Sequence, residues 1–419
     1  MTRESLIPML PLPDVVKSNL ASRQQAMEQD LSTWVGMNTH TPNKSGVDAL
    51  GVLLSERLEA MGFRVAELVG GVTGRTLVAR LGYELRDSAE EAEVPANEQR
   101  PLLLIGHMDS VFALTEPPAT MRVDAATHRA FGPAVADMKG GLVIMIHALE
   151  ALHETGLLAG RSLRVVLNSD EETGSALSGE IIRAEAAECS AALVFEAGRP
   201  AESGASTVVT QRKGLLRVRV RARGRSAHAG VDPSAGASAV RELAVKVKPI
   251  EELAQNHAGL TVLVGRFQGG TAANTVPAEA HMDVDVRFDD DDQRQDVEDA
   301  IQGLLMRPEV RDPDGRPRVA CSIVERVHRP AMEPTEAAAA LVEHVLAAAT
   351  DLGQNIVPEA RGGSSDAALA MDAGCPAVCG LGAVGGAFHT PEEWTDLHSL
   401  QDRARLLALL ILRLGGKAT

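Results

Sequence analysis

Histidines and carboxylates recur in this chain at the ends of apolar runs, where they could converge on metal ions. His107 and Asp109 follow the run 101–106 (PLLLIG), and being two apart in an extended segment they project to the same side. Asp137 lies just before a helical pattern. Glu171 and Glu172 follow the run 163–167 (LRVVL), Glu196 follows 191–195 (AALVF), and His389 sits in a glycine-rich loop after 376–381. Singly, each has a plainer explanation: Asp137 as a helix N-cap, His107 as a satisfied buried histidine, Glu171 and Glu172 as a solvated loop. Those explanations leave the repeated placement at strand ends to coincidence. Two imidazoles and several carboxylates at the carboxyl edge of one sheet suit zinc, with ligands enough for two ions.

The elements that must position these residues follow from periodicity. Val47, Leu50, Leu54, Leu58 and Met61 recur at helical spacing, with Gly62 as the C-terminal stop. Residues 76–79 read as a strand, 84–100 as a polar surface loop or hairpin tip, and 101–106 as a central strand covered on both faces. Met138, Leu142, Met145, Leu149 and Leu152 mark a helix, 163–167 a buried strand, 179–188 a helix and 191–195 a strand. That alternation predicts an α/β layer with a mainly parallel sheet flanked by helices. Near Thr210 the texture changes. The segment 215–222 (LLRVRVRA) alternates apolar and basic residues, as a strand with one wet face does. A helix at 235–247, strands at 260–268 and 280–288, a helix at 289–306 and a strand at 318–325 complete a β-α-β-β-α-β order. The expected division is therefore a catalytic domain of 1–210 and 329–419 and an inserted α+β domain of 211–328. Helices at 336–349 and 400–414 end the chain.

Bulk properties narrow the function. The chain of 419 residues carries a net charge of −16 and only 2% aromatic residues, a poor match to nucleic acid, which needs cations and stacking platforms. The start of the chain, MTRESLIPMLPLPDVV, contains Pro8, Pro11 and Pro13 and reads as neither signal peptide nor membrane span. Cys189, Cys321, Cys375 and Cys379 lack zinc-ribbon spacing and read as buried thiols in a reducing, cytoplasmic setting.

At several segments the chain resembles the co-catalytic zinc exopeptidases and deacylases, a family that includes glutamate carboxypeptidase, aminoacylase, acetylornithine deacetylase and succinyl-diaminopimelate desuccinylase. The matching segments are GHMDSV (106–111), FGPAVADMKGG (131–141), NSDEETGS (168–175), FEAG (195–198), GRSAHAG (224–230), NTVPAEA (274–280), GGSSDA (362–367) and GGAFHTPEE (385–393). The Gly132-Pro133 pair and Glu196 look most like the glutamate carboxypeptidase branch. The resemblance implies that His107 and Glu196 bind one zinc, Glu172 and His389 a second, and Asp137 bridges them. It makes Asp109 the acceptor that orients His107, and Glu171 the general base for the bridging water. It makes the inserted domain a lid and homodimer contact, with His228 stabilising the oxyanion across the interface. Asn274 and Arg287 would hold the substrate carboxylate, a task suited to a planar guanidinium. It also implies a cis peptide bond after Asp137. Two departures stand out: residues 196–214 differ from the glutamate carboxypeptidase counterpart and look longer, and Ala134 replaces a frequent glycine.

Two motifs point elsewhere. Residues 380–385 (GLGAVG) match G-x-G-x-x-G but open no helix, so a dinucleotide site is not expected. Residues 362–366 (GGSSD) lack a nucleophile elbow and fit a backbone role in the substrate pocket better. The expected function is hydrolysis of a peptide or N-acyl amino acid bond beside a carboxylate on a small-molecule substrate, with two divalent ions, zinc foremost and cobalt or manganese acceptable. The alternatives are an aminohydrolase acting on a non-peptide C–N bond of an aromatic or heterocyclic acid, and a dimeric binding protein of the same fold without catalysis. Glu171, a general base with no use in a mere binder, speaks against the last.

Overall fold

The computed structural model describes residues 11–68, 71–82, 100–113 and 120–415. The loop expected at 84–100, all but its last residue, and the segment 1–10 lie outside them. The chain forms two compact units: Met1–Thr210 with Pro334–Ala360 and Ser365–Thr419, and Gln211–Glu333 with Arg361–Ser364.

The first unit begins α1 (Asp14–Ser22), α2 (Gln24–Val35), α3 (Lys44–Ala60), β1 (Arg64–Leu68), β2 (Thr76–Leu81) and β3 (Leu102–His107). It continues with short β4 (Arg122–Asp124) and β5 (Arg129–Phe131), α4 (Gly141–Glu154), β6 (Leu163–Asn168), α5 (Gly179–Ala187), β7 (Ala191–Val194) and β8 (Ser206–Arg212). After the second unit come α8 (Glu336–Asp351), β13 (Ile356–Arg361), α9 (Ala367–Asp372), β14 (Ala377–Val378), β15 (Gly385–Gly386), β16 (Trp394–Asp396) and α10 (Leu397–Leu414). The main sheet has the order β1-β2-β6-β3-β7-β14, and β6, β3, β7 and β14 are mutually parallel. Only β2 opposes the rest, pairing antiparallel with both β1 and β6. The fold is thus mixed α/β with a mainly parallel sheet, as the alternating pattern implied.

Every residue of β3, β6 and β7 is buried, which explains why these strands read as unbroken apolar runs. The core around them is built from Leu, Val, Ile, Ala and Met, with Trp34, Phe63 and Phe195 its few large rings. Helix α4 lies inside this core, with Leu142 through Leu149 all buried. α1 and α2 were not foreseen, although Val16, Leu20, Met27, Leu31 and Trp34 bury one face at helical spacing.

The second unit contains β9 (Gly214–Arg223), α6 (Ala239–Glu251), β10 (Thr261–Gly269), β11 (Glu279–Phe288), α7 (Asp291–Leu305) and β12 (Ala320–Arg329). Its sheet, ordered β10-β11-β9-β12, is antiparallel throughout. Leu216, Val218, Val220 and Ala222 of β9 enter a separate core. The arginines between them face the other way and pair across the strand: Arg217 with Asp285 (3.3 Å), Arg219 with Asp283 (2.7 Å) and Arg221 with Glu279 (2.7 Å).

Candidate active site

Three neighbouring parallel strands deliver the site. β6, β3 and β7 lie side by side, and their carboxyl ends lead into Glu171 and Glu172, His107, and Glu196 respectively. This is the edge where open α/β sheets place ligands. Asp137 comes from the irregular turn Val135–Gly140 that precedes α4, so it is not the N-cap of that helix. The Asp137–Met138 peptide bond is cis, as the resemblance implied. His389, with a backbone φ of +63°, completes the group from its loop.

Asp137 is the centre of the geometry. Its Oδ1 lies 3.3 Å from His107 Nε2 and its Oδ2 lies 3.3 Å from His389 Nε2. His107 Nε2 is also 3.8 Å from Glu196 Oε1, and His389 Nε2 is 3.4 Å from Glu172 Oε2. Ligand atoms of His107, Asp137 and Glu172 lie within 4.8 Å of one another, as do those of His107, Glu171 and Glu196. Asp137 Oδ1 and Glu172 Oε1 are buried without a hydrogen-bond partner, an arrangement that calls for a cation. The oxygen and nitrogen donor set fits a divalent metal.

The electrostatics agree. Burial opposes charge on His107, but Asp109, Asp137 and Glu196 outweigh it and raise its pKa well above the ordinary value. Burial likewise works against the Asp137 carboxylate, yet His107 and His389 hold its pKa far below the usual range. Burial, reinforced by the nearby Asp137 charge, pushes Glu172 up to about 10.

Asp109 lies beside His107 as expected and has a further part. The nearer acceptor for His107 Nδ1 is the Asp109 backbone carbonyl at 3.0 Å, with carboxylate Oδ1 at 3.5 Å. The buried Asp109 carboxylate also accepts the backbone N–H of Glu171 (3.2 Å), that of Glu172 (3.2 Å) and the Thr41 hydroxyl (2.7 Å). It therefore holds the turn that carries two of the site carboxylates.

Glu393 was not foreseen, since nothing in GGAFHTPEE separates it from Glu392. It is fully buried, and its Oε1 accepts the N–H of Ala136 (2.9 Å) and of Asp137 (3.0 Å), fixing the turn under the central aspartate. Burial, with Asp137 adding to it, pushes Glu393 up to about 7. Lys139, buried and donating to the Met37 carbonyl (2.7 Å), is pushed by burial down to about 7 against the pull of Glu393.

Two motifs find structural uses. A Cβ on Gly382 would stand 2.2 Å from the Phe195 carbonyl oxygen, so the glycine-rich run lets the chain pass close beside the strand that ends in Glu196. Asp366 of the GGSSD segment accepts from Asn168 Nδ2 (2.8 Å) and Ser175 Oγ (2.5 Å), bracing the Glu171–Glu172 loop.

The remaining expected residues lie in the second unit. His228 and Asn274 are brought together: Ala229 N–H donates to the Asn274 carbonyl (2.9 Å), and His228 bridges Thr275. Gly230 N–H donates to His228 Nδ1 (3.1 Å), which leaves the ring proton on exposed Nε2. Arg287 is occupied, its Nε donating to Asp285 Oδ1 (2.8 Å) and its Nη2 to Oδ2 (3.3 Å).

An α/β sheet whose carboxyl edge gathers histidines and carboxylates around one shared aspartate defines a metal-dependent hydrolase. Residues 103–413 match the model of Peptidase family M20/M25/M40, and the chain belongs to that family; it is an enzyme of the metallo-carboxypeptidase and amidohydrolase kind. It is 29% identical over 402 residues to carboxypeptidase G2 of Pseudomonas sp. (strain RS-16), covering 94% of this chain and 90% of that protein. It is 25% identical over 379 residues to succinyl-diaminopimelate desuccinylase of Leptothrix cholodnii, covering 86% and 91%. Among solved structures, aminopeptidase PepT from Bacillus cereus shares the fold with a TM-score of 0.69 at 20% identity, over 93% of this chain and 98% of that one. No helix among the described residues is long and apolar enough to cross a membrane.

Proposed function

We propose that the enzyme hydrolyses an amide, in a peptide or an N-acyl amino acid, beside a carboxylate, using two divalent ions of which zinc is the foremost choice. In this reading His107 and Glu196 would hold one ion, Glu172 and His389 would hold the other, and Asp137 would be shared between them. The observation that carries it is the symmetry at Asp137, whose two oxygens each face a different histidine at 3.3 Å. Ions held there supply Lewis acidity for the scissile carbonyl and for the attacking water.

Glu171 accepts the proton of that water and returns it to the leaving nitrogen. Its position in the turn held by Asp109 supports that role, because the two backbone bonds to Asp109 set where the side chain starts. Glu393 keeps Asp137 in place from behind. The second unit, in this reading 211–328, is the lid and the homodimer contact, and His228 donates from Nε2 to the developing oxyanion. Asn274 and Arg287 hold the substrate carboxylate, for which Arg287 must first leave Asp285. Cys189, Cys321, Cys375 and Cys379 form no disulfide, which suits a cytoplasmic enzyme.

The test is amino-acid release from a panel of N-acyl amino acids and dipeptides. Chelation should abolish release, and zinc, cobalt or manganese should restore it. Chelator-resistant release overturns the metal reading, and ammonia in place of an amino acid moves the assignment to an aminohydrolase.

A further inference from the structure

Arg199 follows Glu196 by three residues, and Phe388 immediately precedes His389; both belong to the first unit. The Arg199 guanidinium carbon lies 5.1 Å from the centroid of the Phe388 ring. That ring is half-buried and packs against the main core, so it is a firm platform. The base of the side chain is equally fixed. Gly198 N–H donates to the Ala383 carbonyl (3.0 Å), and Arg199 exchanges bonds with Thr207, donating to its Oγ1 (3.0 Å) and accepting its N–H (2.9 Å). A Cβ on Gly198 would press to 3.0 Å on both Arg403 Nη2 and the Thr207 carbonyl, which keeps this path to glycine.

The side chain itself is exposed, and no carboxylate pairs with it among the described residues. Arg287 is the opposite case, with its fork filled by Asp285. A guanidinium held over a ring by cation–π attraction makes no N–H hydrogen bond there, so its N–H donors stay available to a bidentate acceptor. An exposed and unpaired cation, three residues after Glu196 and held over the ring that precedes His389, suits recognition better than it suits stability.

We propose that Arg199 is a specificity residue that receives a second carboxylate of the substrate, distinct from the one beside the scissile bond. This rests on the amide-hydrolase reading. The carboxylate can belong to an acidic amino-acid side chain or to a dicarboxylic acyl group, and two matched pairs separate these sources. One pair is N-acetylglutamate and N-acetylglutamine, and the other is N-succinylleucine and N-butyrylleucine.

Zinc-loaded Glu171→Gln protein, with and without Arg199→Ala, is titrated calorimetrically with all four compounds. Steady-state rates are measured in parallel with Glu171 intact. The acidic member of one pair should bind about 10- to 100-fold more tightly than its neutral partner, as expected for charge-assisted bidentate bonds. Arg199→Ala should erase that preference through KM with kcat little changed. Arg199→Lys should keep part of it, and Phe388→Leu should weaken it by freeing the guanidinium. A preference absent from both pairs, or one that survives Arg199→Ala in folded protein, overturns the proposal. Failure of the hydrolase reading looks different: no turnover of any compound, while titration still reports binding that depends on Arg199.

Discussion

Replacing Asp109 with Asn separates two accounts of that residue. If Asp109 only oriented His107, the change would be mild, because the acceptor nearer to His107 Nδ1 is the Asp109 backbone carbonyl at 3.0 Å, which no side-chain change removes. The structure assigns the carboxylate to the backbone N–H groups of Glu171 and Glu172 and to the Thr41 hydroxyl. An amide has one acceptor oxygen in place of two, so in Asp109→Asn at least one of those N–H groups meets an NH2 donor and loses its partner. A buried donor without an acceptor costs about 1–3 kcal/mol. Part of that cost is relieved by shifting the turn, which carries Glu171 and Glu172 off their positions. Metal affinity should therefore fall about 10- to 100-fold, the range for losing an outer partner of a metal site. The rate at saturating metal should fall as well, because Glu171 moves with the turn. Zinc affinity is read by competition with a chromophoric chelator, stability by urea titration of metal-free protein, and rate by amino-acid release. Wild-type metal affinity and kcat in a folded Asp109→Asn protein would refute the reasoning.

Glu171→Gln should retain metal and fold while losing about 100- to 10,000-fold in kcat, the usual worth of a general base; retained kcat would place the base elsewhere. Mixing inactive Glu171→Gln with inactive His228→Ala should restore about a quarter of wild-type activity. Full exchange makes about half the dimers mixed, each with one intact site, and no recovery after verified exchange refutes a shared site. The third concerns Asp30 and Glu150, two carboxylates on Arg57. Burial raises both pKa values, but His147 and Arg57 for Asp30, and chiefly Arg57 for Glu150, outweigh it and hold both below the ordinary range. Depressed carboxylates stabilise the fold above their unfolded pKa, and the benefit fades as pH falls through the folded one. The gap in urea midpoint between wild type and Arg57→Gln should thus narrow from about pH 6 to about pH 3; a constant gap contradicts it.

The strands that end in site residues were legible because burial on both faces leaves an unbroken apolar run, and few other local patterns do so. Arg287 was legible in part only. Its alternation with Asp283 and Asp285 along β11 places all three on one face, and the pairing with Asp285 follows from that period. Glu393 and the Asp109 cradle were not legible. A carboxylate that accepts backbone N–H groups from a distant segment imposes no spacing on its own neighbourhood, so it leaves no periodic trace.

The crowding at the site sets what the fold must accept. Asp109, Glu171 and Glu196 are buried, with Asp137 and Glu172 nearly so, and His107 and His389 are the imidazoles set among them. Like charges gathered in a low-dielectric interior repel strongly, which is why Glu172 is pushed so far up beside Asp137. Two cations close in sequence to site residues are engaged elsewhere: Lys139 donates to the Met37 carbonyl, and Arg199 lies over the Phe388 ring. An arginine inserted among the carboxylates would stabilise the fold and fill the coordination positions. Carboxylates gathered in this way around two imidazoles make a donor set that favours divalent cations.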